Sequence, residues 1–197
     1  MVAQSAMADA AISRSRSRLW SRLSFGRLMT MPLLLRPFEA GDEAAALAAN
    51  DAFIAEGFTF LLGYAGGMPW AEWVLETERI RAGVDIPPDR VRAALLAAVV
   101  DGDLVGRVSV RFELNEWLAR EGGHVGYGVL PAFLRQGFAT EILRQAVDLG
   151  HREGIQRLLV ICDEDNTGSA TVIERCGGVF EAHATADDGT AIRRYWI

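Results

Sequence analysis

Residues 123–140 read GHVGYGVLPAFLRQGFAT. Gly123 to Leu130 is a short small-and-apolar run stopped by Pro131, which reads as a strand. From Gly137 to Glu153 apolar residues recur at helical spacing, through Ile142, Leu143, Ala146, Val147 and Leu149. Arg135, Gln136, Gly137, Phe138, Ala139 and Thr140 therefore stand where a helix begins. The free N–H groups and positive dipole end of a first turn suit a pyrophosphate there, and Gly137 and Ala139 keep side chains out of its way. Two other nucleotide motifs are excluded. Gly126-Tyr127-Gly128 begins a dinucleotide fingerprint, but Pro131 stands in place of its third glycine, and the chain has no Gly-Lys-Ser/Thr.

Outward from this stretch, strands and helices follow one another. Leu33–Phe38 is a short strand stopped by Pro37, and an Ala-rich helix follows Gly41 to about Glu56. Trp70, Trp73, Val74, Thr77 and Ile80 mark a second helix, ended by Gly83 and Pro87-Pro88. Val91–Val100 and Leu104–Phe112 form a hairpin around Asp101-Gly102-Asp103, because Asp-Gly readily takes the positive φ angles of a tight turn. Glu113–Glu121 is a polar excursion before the strand at Gly123. Arg157–Cys162 (RLLVIC) is an apolar strand, Glu174 sits on a further helix, and Val179–Ala184 with Ala191–Ile197 closes the chain as a second hairpin.

The chain has 197 residues, 50% of them apolar, enough for one sizeable core. Of the net charge of -6, residues 1–30 contribute a local +4, five arginines against Asp9, so the remainder carries -10. A body that acidic is a poor nucleic-acid binder. Residues 1–30 read as a loose basic extension and residues 31–197 as one domain. The two cysteines, Cys162 and Cys176, make neither a disulfide framework nor a zinc site, so a reducing cytoplasmic location is expected. No apolar run approaches a membrane span, so no membrane partner is expected.

One stretch has a competing reading. Residues 162–174, CDEDNTGSATVIE, place Asp, Gly and Glu as a calcium loop does, which makes a calcium-binding module through residues 163–174 an alternative. Against it, the strand RLLVIC precedes the loop where such a site needs a helix, and Ala170 replaces the usual apolar anchor. No metal is expected.

From Glu121 to Phe180 the order is strand, Gln/Arg-x-x-Gly-x-Gly/Ala loop, helix, strand, Asn-x-x-Ser helix and Cys-Gly-Gly. With RFELNEWL upstream and RRYWI at the end, this strongly resembles the GCN5-related N-acetyltransferase (GNAT) superfamily, in a branch described only as predicted acetyltransferases. The resemblance covers most of residues 33–197, firmly from about Val91 onward. It implies a mixed α/β acyl-CoA N-acyltransferase fold, a twisted, largely antiparallel sheet of about seven strands with helices on both faces. It implies acetyl-CoA as co-substrate, held in a splay between the fourth and fifth strands. Tyr127, Gly128 and Val129 would lend a strand edge to the pantetheine arm, residues 135–140 the pyrophosphate site, and Asn166 and Ser169 further hydrogen bonds to the pantetheine.

The expected reaction is direct transfer of acetyl to a primary amine in a ternary complex. The amine could be a small molecule, a peptide or a protein, and Arg111 and Asn115 are candidates to orient it. A non-catalytic acyl-CoA-binding module is the alternative from another class. A homodimer is expected to be open to such a fold through its exposed strand edges.

The sequence departs from the superfamily pattern at three points. Leu134 replaces the first Gln or Arg of the pyrophosphate loop, Ile173 stands where a tyrosine acid can occur, and Ile161 replaces a glutamate. A CoA thiolate, from a thiol with a pKa near ~8.5, can leave without a strong acid. His124 stands where a strand glutamate often does, and its ordinary pKa of about 6.5 suits a base. It is either that base or a hydrogen-bonded structural histidine, with Glu113 and Glu116 as alternative bases.

Overall fold

The computed structural model describes residues 32–54 and 57–197; the expected basic extension at 1–30 lies outside the described residues. The chain runs β1 (Leu34–Pro37), α1 (Glu43–Ile54), α2 (Trp70–Ala82), β2 (Ala93–Val100), β3 (Asp103–Arg111), β4 (Val125–Val129), α3 (Phe138–Arg152), β5 (Leu159–Asp163), α4 (Thr167–Arg175), β6 (Val179–Thr185) and β7 (Ala191–Trp196). The strands form one seven-stranded sheet in the order β1-β2-β3-β4-β5-β7-β6. Every neighbouring pair is antiparallel except β4 and β5. The fold class is the mixed α/β one expected from the sequence.

The centre of the sheet is buried on both sides, and the composition of β2 shows why. Its run AALLAAVV has no polar position, as a strand covered on both faces requires. Ala94, Leu96 and Ala98 turn to one face, where Val108, Val110, Ile142, Leu143 and Ile173 bring in α3 and α4. Leu95, Ala97 and Val99 turn to the other, against Phe53, Trp70 and Trp73 of α1 and α2. The β2–β3 turn is tight because Asp101 and Gly102 both take positive φ, 56° and 88°.

Two hydrogen bonds tie the segment between α1 and α2 onto the second face, and a third ties the start of α2 to the turn before α1. Leu61 N–H donates to Asn50 Oδ1 at 3.0 Å, Trp73 Nε1–H to Leu62 O at 3.0 Å, and Trp70 Nε1–H to Glu39 O at 3.0 Å. Each indole is thus satisfied at its polar end while its ring fills the core.

Two features were not legible in advance. The polar excursion at 113–121 runs into a single wide helical turn, Leu118–Gly122, started by Asn115 Oδ1 accepting from Leu118 N–H at 2.9 Å. The closing hairpin enters the sheet with β7 inside and β6 at the edge, so β6 carries the exposed Val179 and Phe180.

At the start of the domain, Arg36 grips Asp42 through two bonds of 2.6 and 2.8 Å, and Asp42 Oδ2 also accepts from Glu39 N–H at 2.8 Å. These bonds, the guanidinium's first, hold the Asp42 carboxyl below its ordinary pKa. A carboxyl depressed in the folded state stabilises above the unfolded value of about 3.9, and that contribution fades as pH falls through the folded value. Asp42→Asn should therefore cost about 1–3 kcal/mol at pH 7 and much less near pH 3, read by urea unfolding at the two pH values.

Candidate active site

β4 and β5 run parallel and are bridged at one pair, Val125 with Val160. His124 closes that end. Its N–H donates to Leu159 O at 2.7 Å and its Nδ1 accepts from Leu159 N–H at 2.8 Å. Beyond Val125 the two strands part.

The register with β3 decides what β4 presents to the gap. Arg111 N–H donates to His124 O at 2.8 Å and Leu130 N–H to Val105 O at 2.9 Å, so the even positions of β4 bond to β3. Antiparallel pairing alternates, so the N–H and C=O groups of Tyr127 and Val129 point away from β3, into the gap. An extended ligand with amide groups can add to that edge as a strand would. Of the residues assigned to the pantetheine arm, Tyr127 and Val129 face the gap with their backbone, while Gly128 turns its own to β3.

Both strands are followed by helices that begin at the open end of the gap. Phe138 starts α3 behind Gly137, which has φ 87° and contributes no side-chain cap; Arg135, at φ 60°, turns the loop before it. The first-turn N–H groups of a 15-residue helix are left without a side-chain cap, the arrangement that receives a phosphate. Thr167 starts α4, capped by Asn166, whose Oδ1 accepts from Ser169 N–H at 2.9 Å. That bond uses the Asn166 carbonyl and leaves its amide N–H groups to donate. The two helices share one face of the sheet, with Cys176 Sγ on α4's end 3.5 Å from Thr140 O. Residues 135–140 thus lead into the helix that follows β4, and Asn166 and Ser169 begin the one that follows β5.

On that face the Tyr127 hydroxyl is buried with the Ser169 side chain close by, and burial pushes its pKa up to about 12. Burial also pushes the Cys162 thiol up to about 11, which favours its protonated form at neutral pH. Among the described residues no three His, Cys, Asp or Glu side chains converge to hold a metal. In residues 163–174, Asp163 ends β5 and Glu174 reaches Tyr195 OH at 3.4 Å.

The opposite face is mostly apolar, with a polar strip along β3. A cavity of about 220 Å³ lies between α2, β2, β3 and the Leu118–Gly122 turn, and Arg111 and Asn115 both line it, with Ser109. Sequence reasoning brought out Arg111 and Asn115 but not Ser109 or Arg107. The available signal was period-two polarity, Arg107-x-Ser109-x-Arg111, inside a strand otherwise built of Val, Leu and Gly. Glu113 lies outside the cavity, exposed, accepting from Arg92 N–H at 3.3 Å.

A family model for the acetyltransferase (GNAT) domain matches residues 32–179. No curated protein matches the chain. Among solved structures, a probable acetyltransferase is 20% identical over 84% of this chain and 92% of its own, with a TM-score of 0.62. The microcin self-immunity acetyltransferase MccE, in complex with acetyl-CoA and AMP, is 17% identical over 84% and 91% (TM-score 0.57). A spermidine N-acetyltransferase chimera from Vibrio cholerae is 18% identical over 84% and 94% (TM-score 0.56). At these identities the likeness is one of fold.

The bond from Leu159 fixes the neutral His124 ring as its Nε2–H tautomer. Burial, then the charge of Arg111, lowers its pKa from the ordinary value. A histidine depressed in the fold binds fewer protons than in the unfolded chain, so its share of stability is lost as pH falls below about 6.5. Ring ¹⁵N spectra should show Nε2 protonated and a titration midpoint below that of free histidine; an Nδ1–H ring would contradict the geometry.

Proposed function

Because the chain belongs to the GNAT acetyltransferase family, we propose that it moves an acetyl group from acetyl-CoA to a primary amine by direct attack in a ternary complex. The observation that carries this is the open edge of β4 at Tyr127 and Val129, standing between two helix N-termini. MccE was solved with acetyl-CoA bound, which supports acetyl-CoA as the donor here.

In this reading the first turn of α3, with Arg135–Thr140, takes the pyrophosphate, the β4 edge pairs with the pantetheine amides, and Asn166 and Ser169 hold the arm from the α4 side. A main-chain N–H of Val129 polarises the thioester carbonyl, and holding amine and thioester in line supplies much of the rate. Sequence reasoning left His124 two roles, base or structural histidine. Its Nδ1 lone pair is committed to Leu159 N–H and its Nε2 carries the proton, so we assign it the second: it holds β4 and β5 together at the closed end. The acceptor's proton leaves through water. Thr140 and Cys162 frame the cofactor side, and Arg111 and Asn115 the acceptor side.

Saturating acetyl-CoA, at about a hundredfold its dissociation constant, should raise the unfolding midpoint by roughly 5–10 °C, and Arg135→Glu should shrink that shift. An amine panel with acetyl-CoA should release one CoA thiol per acetylated product. Binding without transfer to any amine would leave a non-catalytic acyl-CoA module, and no acetyl-CoA shift at all would sink the proposal.

A further inference from the structure

The acyl-CoA gap makes no use of the polar face of β3. Arg107 is 3% exposed, yet its partners are carbonyls and a ring: Nη1–H donates to Gly126 O at 2.8 Å, Nη2–H to Thr59 O at 2.7 Å, and the guanidinium lies 4.4 Å from the Phe58 ring centre. Its Nε is buried with no partner. Arg111 makes both its bonds from Nη1, to Gly122 O at 3.0 Å and Gly123 O at 3.3 Å, which leaves Nε and Nη2 for another group. Among the described residues neither guanidinium is paired with a carboxylate.

Two such cations are costly to bury side by side. Burial pulls Arg107 down to about 9, with Arg111's charge adding to it, and burial pulls Arg111 down to about 10. An anion brought to them would relieve that cost. Arg111 lines the cavity with Ser109, itself 2% exposed, and the remaining wall is largely apolar, with Leu62, Ile80 and Leu95. The other charged lining residues are Asp89, which is exposed, and Arg90, already 3.6 Å from Glu76.

We propose that this cavity selects an acceptor amine that carries a carboxylate or phosphate-like group, held by Arg111 and Ser109, on an apolar body. The amine then reaches the thioester across Gly126. β4 is one strand from the cavity wall, about 4.8 Å, and over Gly126 the space is held by the guanidinium ends of Arg111 and Arg107, past which the amine has to come. A methyl there would stand 3.5 Å from Arg111 Nη1 and 3.8 Å from Arg107 Nη1. The assignment rests on the acetyl-transfer reading for the word acceptor, but the anion preference of the cavity does not.

The test separates the two. Calorimetric titration of the full chain with 3-phenylpropionate, 2-phenylethylphosphonate and 3-phenylpropan-1-ol compares two anions with a neutral body of like shape. At least one anion should bind tenfold or more tighter than the alcohol, and which one does names the carboxylate or the phosphate class. Arg111→Gln should abolish the preference and Arg111→Lys keep part of it. An alcohol that binds as tightly as either anion, no anion binding, or a preference that survives in Arg111→Gln overturns the proposal. The wild-type comparison stands even if the Gln variant does not fold. Acetyl-CoA binding, followed separately by its thermal shift, reports on the transfer reading alone.

Discussion

Two strands that touch at one end only set the rest of the structure. Bonded along their whole length, β4 and β5 would leave no gap; unbonded, the sheet would divide into β1 to β4 and a separate three-stranded piece. The reciprocal bonds between His124 and Leu159 hold the intermediate state. Because the pair is parallel, the connection between them has to be a crossover, and α3 supplies it. Parallel strands also send their following helices off from the same end. α3 and α4 therefore both start beyond the ends of β4 and β5 that part, as a consequence of topology.

β4 presents two different faces by its alternation. Tyr127 fills the side of α3 and α4, with its hydroxyl near the gap, while Gly126 and Gly128 leave the other side bare. At Gly128 the space is taken by Phe58, which would meet a methyl at 2.9 Å, so this glycine belongs to packing. At Gly126 it is the guanidinium groups that stand above the strand, at ordinary contact distance. The open β4 edge and the buried Arg107 Nε are among the places, within the described residues, where the fold departs from full satisfaction of its polar groups. Such departures concentrate where a ligand completes the structure.

The order and type of the elements were legible because each has a local cause. Period 3.6 marked α2 and α3, Asp-Gly marked the β2–β3 turn, and Pro131 and Gly137 bounded the loop before α3. The neighbourhood of β3 was not legible. Arg107 looks like a solvent-facing residue in a hairpin strand until α1 and α2 are known to cover that face, and coverage is a tertiary fact. The same holds for His124: its residue type suits a base, but the group that uses its lone pair is 35 positions away in the chain. Placement of β7 inside β6 likewise depends on which edge of β5 remains free, which no local pattern records.

On the proposed reading, the cationic face also bears on the missing base. An alkylammonium has an ordinary pKa near 10 and must lose a proton before it attacks, and among the described residues the cavity's one lining carboxylate is the exposed Asp89. A like charge disfavours the charged form of its neighbour. An ammonium brought to Gly126 stands beside Arg107 and Arg111, whose charges are only weakly screened there, and it is shifted towards the neutral amine. If the acceptor's own anion neutralises Arg111, Arg107 still carries its charge behind Gly126. A water molecule is then a sufficient proton acceptor, and the absence of a tyrosine at Ile173 matters little, because a thiolate leaves readily and the difficult proton is the amine's. The pair of arginines would in this way both choose the substrate and prepare its nitrogen.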